Sequence, residues 1–185
     1  MKKNNATCIV GLIDKGKVYI GGDSAGVSGL DIGIRKDVKV FKNGDFVIGC
    51  TSSFRMIQLL RFSFTPPKDT KADVYEYMCT DFIDAVRKCF KDGGYGGNDT
   101  TYGELGGTFL VGYKGRLFQI LDDHQVAETA EIFDSCGCGA SFALGTFYAI
   151  HKNKSMSAKE KITKALESAV HFSGGVRPPF VIESI

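Results

Sequence analysis

Apolar residues gather in two short runs, 8–13 and 18–22, on either side of Asp14-Lys15-Gly16-Lys17. Runs of that length around a polar, glycine-containing turn predict a β-hairpin. Asp23 closes the second run and leads into a Gly/Ser-rich stretch, 24–29, which reads as a turn. Residues 32–41 and 46–51 read as further strands, with Asn43-Gly44 as the turn signal between them. The period then changes. Met56, Ile57, Leu59, Leu60 and Phe64 fall at helical spacing within 54–64, ahead of Pro66-Pro67. A second helical stripe runs through 72–90, from Val74 to Phe90, and stops at Lys91-Asp92-Gly93-Gly94. The glycine-rich segment 93–107 has almost no aliphatic residues and reads as a long surface loop.

Strand patterning returns at 108–113 and 116–121 around Lys114-Gly115, and continues through 126–136. Two more helices follow at 140–152 and 158–172, the second with Ser157 and Glu160 at capping-box spacing. A strand at 180–185 ends the pattern. The order is strands, two helices, strands, two helices, strand. Each group of strands needs one face covered, so the predicted architecture is α+β: a four-layer α/β/β/α sandwich of two antiparallel sheets between helical layers.

Composition narrows the class. A chain of 185 residues with 43% hydrophobic content is long enough for one domain with a full core. With 23 basic and 21 acidic residues interspersed, and no Trp, it has no basic stripe for a phosphate backbone, so a nucleic-acid partner is not expected. The apolar stretch behind Met1-Lys2-Lys3 is broken by Asp14 and Lys15, so neither a signal peptide nor a membrane span is expected. The six cysteines lie mostly within apolar runs, as reduced core thiols do, which points to a cytoplasmic location. Cys136 and Cys138 lack a second ligand pair at matched spacing, and no cofactor or metal is expected.

The candidate chemistry lies in the first hairpin. Pairing its strands brings Asp23 to the end where Thr7 begins, while Cys8 points to the opposite face of the strand. The stretch TCIVGLIDKGKVYIGGDSAGVSG, together with the element order, resembles the N-terminal nucleophile hydrolases, specifically proteasome β-subunits and HslV-type peptidases, over nearly the whole chain. Thr7, Asp23 and Gly29 match that family's opening pattern without a gap, and Lys39, in Val38-Lys39-Val40-Phe41, falls where the family has its lysine. The resemblance implies Thr7 as nucleophile with Lys39 and Asp23 as catalytic partners. It also implies supporting roles for Cys138, in Gly137-Cys138-Gly139, and for Ser173, in Ser173-Gly174-Gly175. Ser52 would offer the oxyanion N–H. Three positions depart from the family: Cys138 replaces a serine, Val170 replaces an aspartate, and Cys50-Thr51-Ser52-Ser53 replaces a glycine-rich sequence.

A threonine hydroxyl needs a base, and a free α-amine with a pKa near ~8 suits that task. With residues 1–6 attached, the Thr7 nitrogen is an amide. The expectation is a propeptide-like extension, 1–6, on a domain spanning 7–185, cut between Ala6 and Thr7 by the chain itself. The resemblance further implies a threonine peptidase acting on polypeptides, a homo-oligomeric ring, and a separate ATPase unfoldase as partner, since no phosphate-binding loop is present. Two alternatives stay open: a catalytically silent structural or shell subunit that is never processed, and an amidase of the same fold acting on a small molecule.

Overall fold

The computed structural model describes residues 6–51, 53–95 and 108–185. Ser52 and most of the glycine-rich stretch 93–107 therefore lie outside the described residues, as does the rest of the extension before Ala6. The first hairpin pairs β1 (Cys8–Asp14) with β2 (Lys17–Gly22), and the register runs from Ile9↔Gly22 to Asp14↔Lys17. The turn is thus two residues, not four: Lys15 and Gly16 both have positive φ, 51° and 77°, the combination that matches the right-handed twist of the flanking strands. The register itself is the one the sequence pattern predicts.

The expected turn at 24–29 is instead a strand. β3 (Ala25–Ser28) pairs with β4 (Asp31–Ile34) in a separate ribbon whose true turn is Gly29-Leu30. The expected strand at 32–41 is therefore interrupted at 35–39, and β5 (Val40–Asn43) begins one residue after Lys39. β5 joins β6 (Phe46–Cys50), β7 (Phe109–Tyr113), β8 (Arg116–Ile120) and β9 (Val126–Glu128) in a five-stranded antiparallel sheet. The run at 126–136 is not one strand either. After β9 the chain crosses to the other sheet as β10 (Phe133–Gly137), giving the four-stranded order β10-β1-β2-β11 with the final strand β11 (Val181–Ser184).

Helix α1 (Phe54–Phe62) starts at Ser53, whose hydroxyl accepts the Met56 N–H, and it stops two residues short of the expected end. The expected helix 72–90 is a continuous helix made of α2 (Val74–Tyr77), a π-helical turn (Met78–Phe82) and α3 (Ile83–Asp92). Helix α4 (Ala140–Ile150) is two residues shorter than expected, and α5 (Ala158–Phe172) has both capping-box bonds between Ser157 and Glu160.

Three apolar layers hold four structural layers together. α1 to α3 cover the five-stranded sheet through Met56, Leu60, Phe82, Phe109 and Phe118. α4 and α5 cover the four-stranded sheet through Cys8, Val10, Phe147, Ile162 and Leu166. Between the sheets lie Ile9, Ile20, Val40, Val47, Leu110 and Leu117. The alternation along β1 is direct: Cys8, Val10 and Leu12 face the helices, while Ile9 faces the other sheet. Thr7, two residues before Ile9, is thereby directed to the seam between the sheets. Among the described residues, no helix is long and apolar enough to cross a membrane.

Candidate active site

Thr7 immediately precedes β1, Asp23 immediately follows β2, and the hairpin register places them side by side. The Cys8 N–H donates to Asp23 Oδ1 at 3.1 Å, and the Asp23 N–H returns a bond to the Cys8 carbonyl at 3.4 Å. Lys39 arrives from the second sheet. Its carbonyl accepts the Cys50 N–H at 2.9 Å, which extends the β5–β6 ladder by one residue and fixes the side chain's origin. Its ammonium donates to Thr7 Oγ1 at 3.0 Å and to Asp23 Oδ1 at 2.9 Å. All three residues are at most 3% exposed.

Every acceptor position on Asp23 is used. Oδ1 takes Lys39 and Cys8, while Oδ2 takes the Ala25 N–H at 2.9 Å and the Arg177 N–H at 3.3 Å. Four separate segments thus meet on one carboxylate, which orients the lysine and compensates its charge in a dry site. Burial pushes the Lys39 ammonium below the ordinary lysine range, and the Asp23 charge works against that shift. A lysine so placed can give up its proton at lower pH than a surface lysine. Burial also pushes the Cys8 thiol up to about 12, so it stays protonated and unreactive.

Around the Thr7 amide, the N–H donates to Cys138 Sγ at 3.3 Å, and Cys138 Sγ lies 3.1 Å from Ser173 Oγ. Gly137, with φ of 99°, lets the chain pass so close to the Thr7 carbonyl that no Cβ fits there. The Gly139 N–H then donates to the Thr7 carbonyl at 3.3 Å. The Thr7 hydroxyl lies against the carbonyl oxygen of Ala6, within the same peptide group it would have to attack. A cleft of about 80 Å³ opens beside Thr7 and Lys39, walled by Val27, Thr51, Phe54 and Ile57. The Arg35 guanidinium stacks 3.8 Å from the Phe54 ring centre and is held by both oxygens of Asp37.

The structure therefore brings together Thr7, Asp23, Lys39, Cys138 and Ser173, whereas Ser52 falls outside the described residues. Sequence reasoning missed the Ala25 and Arg177 N–H donors, the Gly137 approach and the Phe54 wall. The first two are backbone groups, which carry no residue-type signal.

No protein-family profile matches the chain, and no curated protein sequence does. Solved structures do. The Thiobacillus denitrificans protein BPH superposes with a TM-score of 0.81 at 19% identity, over 96% of this chain and 97% of that one. HslV from Trypanosoma brucei superposes with a TM-score of 0.69 at 18% identity, over 96% and 98%. The fold is HslV-like. Within it, the antiparallel sheets and paired helical layers are those expected from the sequence, and Thr7, Asp23 and Lys39 meet at the seam between the sheets. The Thiobacillus protein also superposes as its complex with epoxomicin, with a TM-score of 0.80 at 18% identity over 96% and 97%.

Proposed function

We propose that this protein is a threonine-type peptidase whose nucleophile, Thr7, is exposed by self-cleavage after Ala6. The observation that carries this reading is the buried chain of contacts from Asp23 through Lys39 to Thr7 Oγ1, at 2.9 and 3.0 Å. In the cut, Oγ1 bonds to the Ala6 carbonyl carbon and that carbon's bond to the Thr7 nitrogen breaks. The hydroxyl proton, passed through neutral Lys39, ends on the departing nitrogen. Water then cleaves the ester and releases residues 1–6 as a carboxylic acid. The freed α-amine, beside Cys138 and Ser173, becomes the base for attack on an external peptide bond, and Lys39 stabilises the developing alkoxide. In this reading 1–6 is a propeptide-like extension and 7–185 the working domain.

The wider expectations belong to the same reading. Assembly into a closed ring is supported by the outer face of α4 and α5, which exposes Phe142, Tyr148 and Phe172. A separate ATPase unfoldase would then feed polypeptide to the enclosed sites. Six free cysteines suit a reducing, cytoplasmic compartment. The second reading is an unprocessed structural subunit. It is favoured by Cys138, since a thiol relays protons less well than the hydroxyl expected there.

The intact mass of purified protein separates the two. Loss of residues 1–6 from wild type, but not from Thr7→Ala, supports the peptidase, and a processed wild type should then form an adduct with epoxomicin, the ligand of the Thiobacillus protein. A wild type that keeps its full mass on prolonged incubation excludes it.

A further inference from the structure

We infer that Gly175 is a positioning residue for the self-cleavage step alone: it provides the seat for Ala6, and a side chain there would slow the cut without impairing the cut enzyme. The inference rests on the proposed function and concerns how its first step is controlled.

The space around Gly175 is taken up by the extension. A Cβ built at that position would meet Ala6 Cβ at 2.6 Å, Ala6 Cα at 2.9 Å and Cys138 Sγ at 3.1 Å. Two of those three neighbours leave when residues 1–6 leave. The third is the end of a side chain that can shift. The backbone of Gly175 is outside the left-handed region, so alanine at this position meets no left-handed strain. What it meets is the uncut chain.

The segment bearing Gly175 is anchored on both sides. On one side Ser173 caps α5 through its N–H to the Ala169 carbonyl at 2.9 Å, and its hydroxyl contacts Cys138. On the other side the Arg177 N–H holds Asp23 Oδ2, and the Arg177 carbonyl accepts the Ser24 N–H at 2.9 Å. The Arg177 guanidinium folds back on the Ser173 and Val176 carbonyls at 3.3 and 2.7 Å, and Val176 is fully buried. A new methyl group is therefore accommodated by Ala6, which must retreat by nearly 1 Å to regain ordinary contact. Ala6 carries the carbonyl that Thr7 attacks. Misplacing reacting groups by 1 Å costs about a hundredfold in rate, so Gly175→Ala should slow the cut by about that factor.

The experiment compares two forms of each variant. In the full-length chain, loss of residues 1–6 is followed by intact mass over time for wild type, Gly175→Ala and Ala6→Leu. In the second form a removable fusion partner is cut away to leave Thr7 as the first residue, and turnover of a fluorogenic peptide is measured. The expected result is that Gly175→Ala and Ala6→Leu cut themselves about a hundredfold slower, while the pre-cut Gly175→Ala enzyme turns over within about threefold of pre-cut wild type. The double variant Ala6→Gly/Gly175→Ala should regain part of the lost rate. If Gly175→Ala cuts itself as fast as wild type, or if its pre-cut form loses turnover to the same extent as its cut, the inference is wrong while the proposed function stands. If Gly175→Ala does not fold, Ala6→Leu decides the seat: cutting at the wild-type rate overturns it. If wild type itself never loses 1–6, the proposed function fails, and the inference with it.

Discussion

Asp23→Asn gives the sharpest test of how the site is held together, because the carboxylate is isosteric with the amide and only charge and donor pattern change. Oδ1 accepts two donors and Oδ2 accepts two more. Turned one way, the asparagine NH₂ confronts the Ala25 and Arg177 N–H groups; turned the other way, it confronts the Cys8 N–H and, while that lysine is charged, the Lys39 ammonium, at about 1–3 kcal/mol for each buried donor left without a partner. Lys39 also loses its counter-charge at 3% exposure. It can escape by staying neutral, which for a lysine of ordinary pKa near ~10.4 costs at most about 4–5 kcal/mol at pH 7. Burial already pushes Lys39 down, so the actual cost is smaller than this ceiling. Relaxation lets the amide meet one of its two donors partway. The combined loss is then about 3–5 kcal/mol, the range found when one partner of a buried pair is removed. Urea unfolding should be measured in a Thr7→Ala background, so that processing does not change the chain under comparison. With a slope of about 2 kcal/mol per molar urea, the midpoint should fall by about 2 M. A loss under about 1 kcal/mol would refute the claim that this carboxylate ties the four segments together.

Three further outcomes are expected. The folded-state pKa of Lys39 is depressed below its unfolded value, so its neutral form gains population, and its contribution to stability grows, as pH rises through the window below ~10.4 and is lost as pH falls back through it. The self-cleavage rate of wild type should therefore climb from neutral pH into that window, and a rate that falls there would contradict Lys39 as proton acceptor. Cys138 is the exposed cysteine, Cys79 and Cys89 are half-buried and the other three are buried, so brief iodoacetamide treatment should label Cys138 first and slow the cut; peptide mapping that shows Cys138 labelled with an unchanged rate would exclude its contact with the Thr7 amide as a contributor. Phe142→Ser/Tyr148→Ser should lower the particle mass seen by light scattering if the α4–α5 face assembles the ring, and an unchanged mass would place the interface elsewhere.

Much of the fold was legible because the turns announce themselves. Lys114-Gly115 fixed one hairpin, Asn43-Gly44 marked another whose turn lies one residue further on, at Gly44-Asp45, because Asn43 still pairs with Phe46, and Ser157 with Glu160 fixed the start of α5. The β3–β4 ribbon was not, because Gly26↔Gly33 is one of its four pairs and glycine gives no alternation to detect. The split between β9 and β10 was hidden for another reason. The chain leaves one sheet and joins the other within 129–132, guided by bonds from Thr129 to Leu117 and from Ile13 to Ile132, and those partners are remote in sequence. In the site, the spacing of Thr7, Asp23 and Lys39 was readable through resemblance. The Arg177 donor and the Gly175 seat were not, since a backbone N–H and an absent side chain leave no chemical mark in the sequence.

The meeting of four segments on Asp23 also sets an order in time. One of its donors comes from Arg177, and the seat for Ala6 from the residues just before it, so the site at the start of the chain is completed by residues near its other end. On a ribosome, Thr7 emerges long before residue 177 has been made. Under the proposed function, a nascent or truncated chain would therefore have an unfinished site and an uncut extension. Release of the nucleophile would then report that the chain had been made through Arg177 and had folded around Asp23.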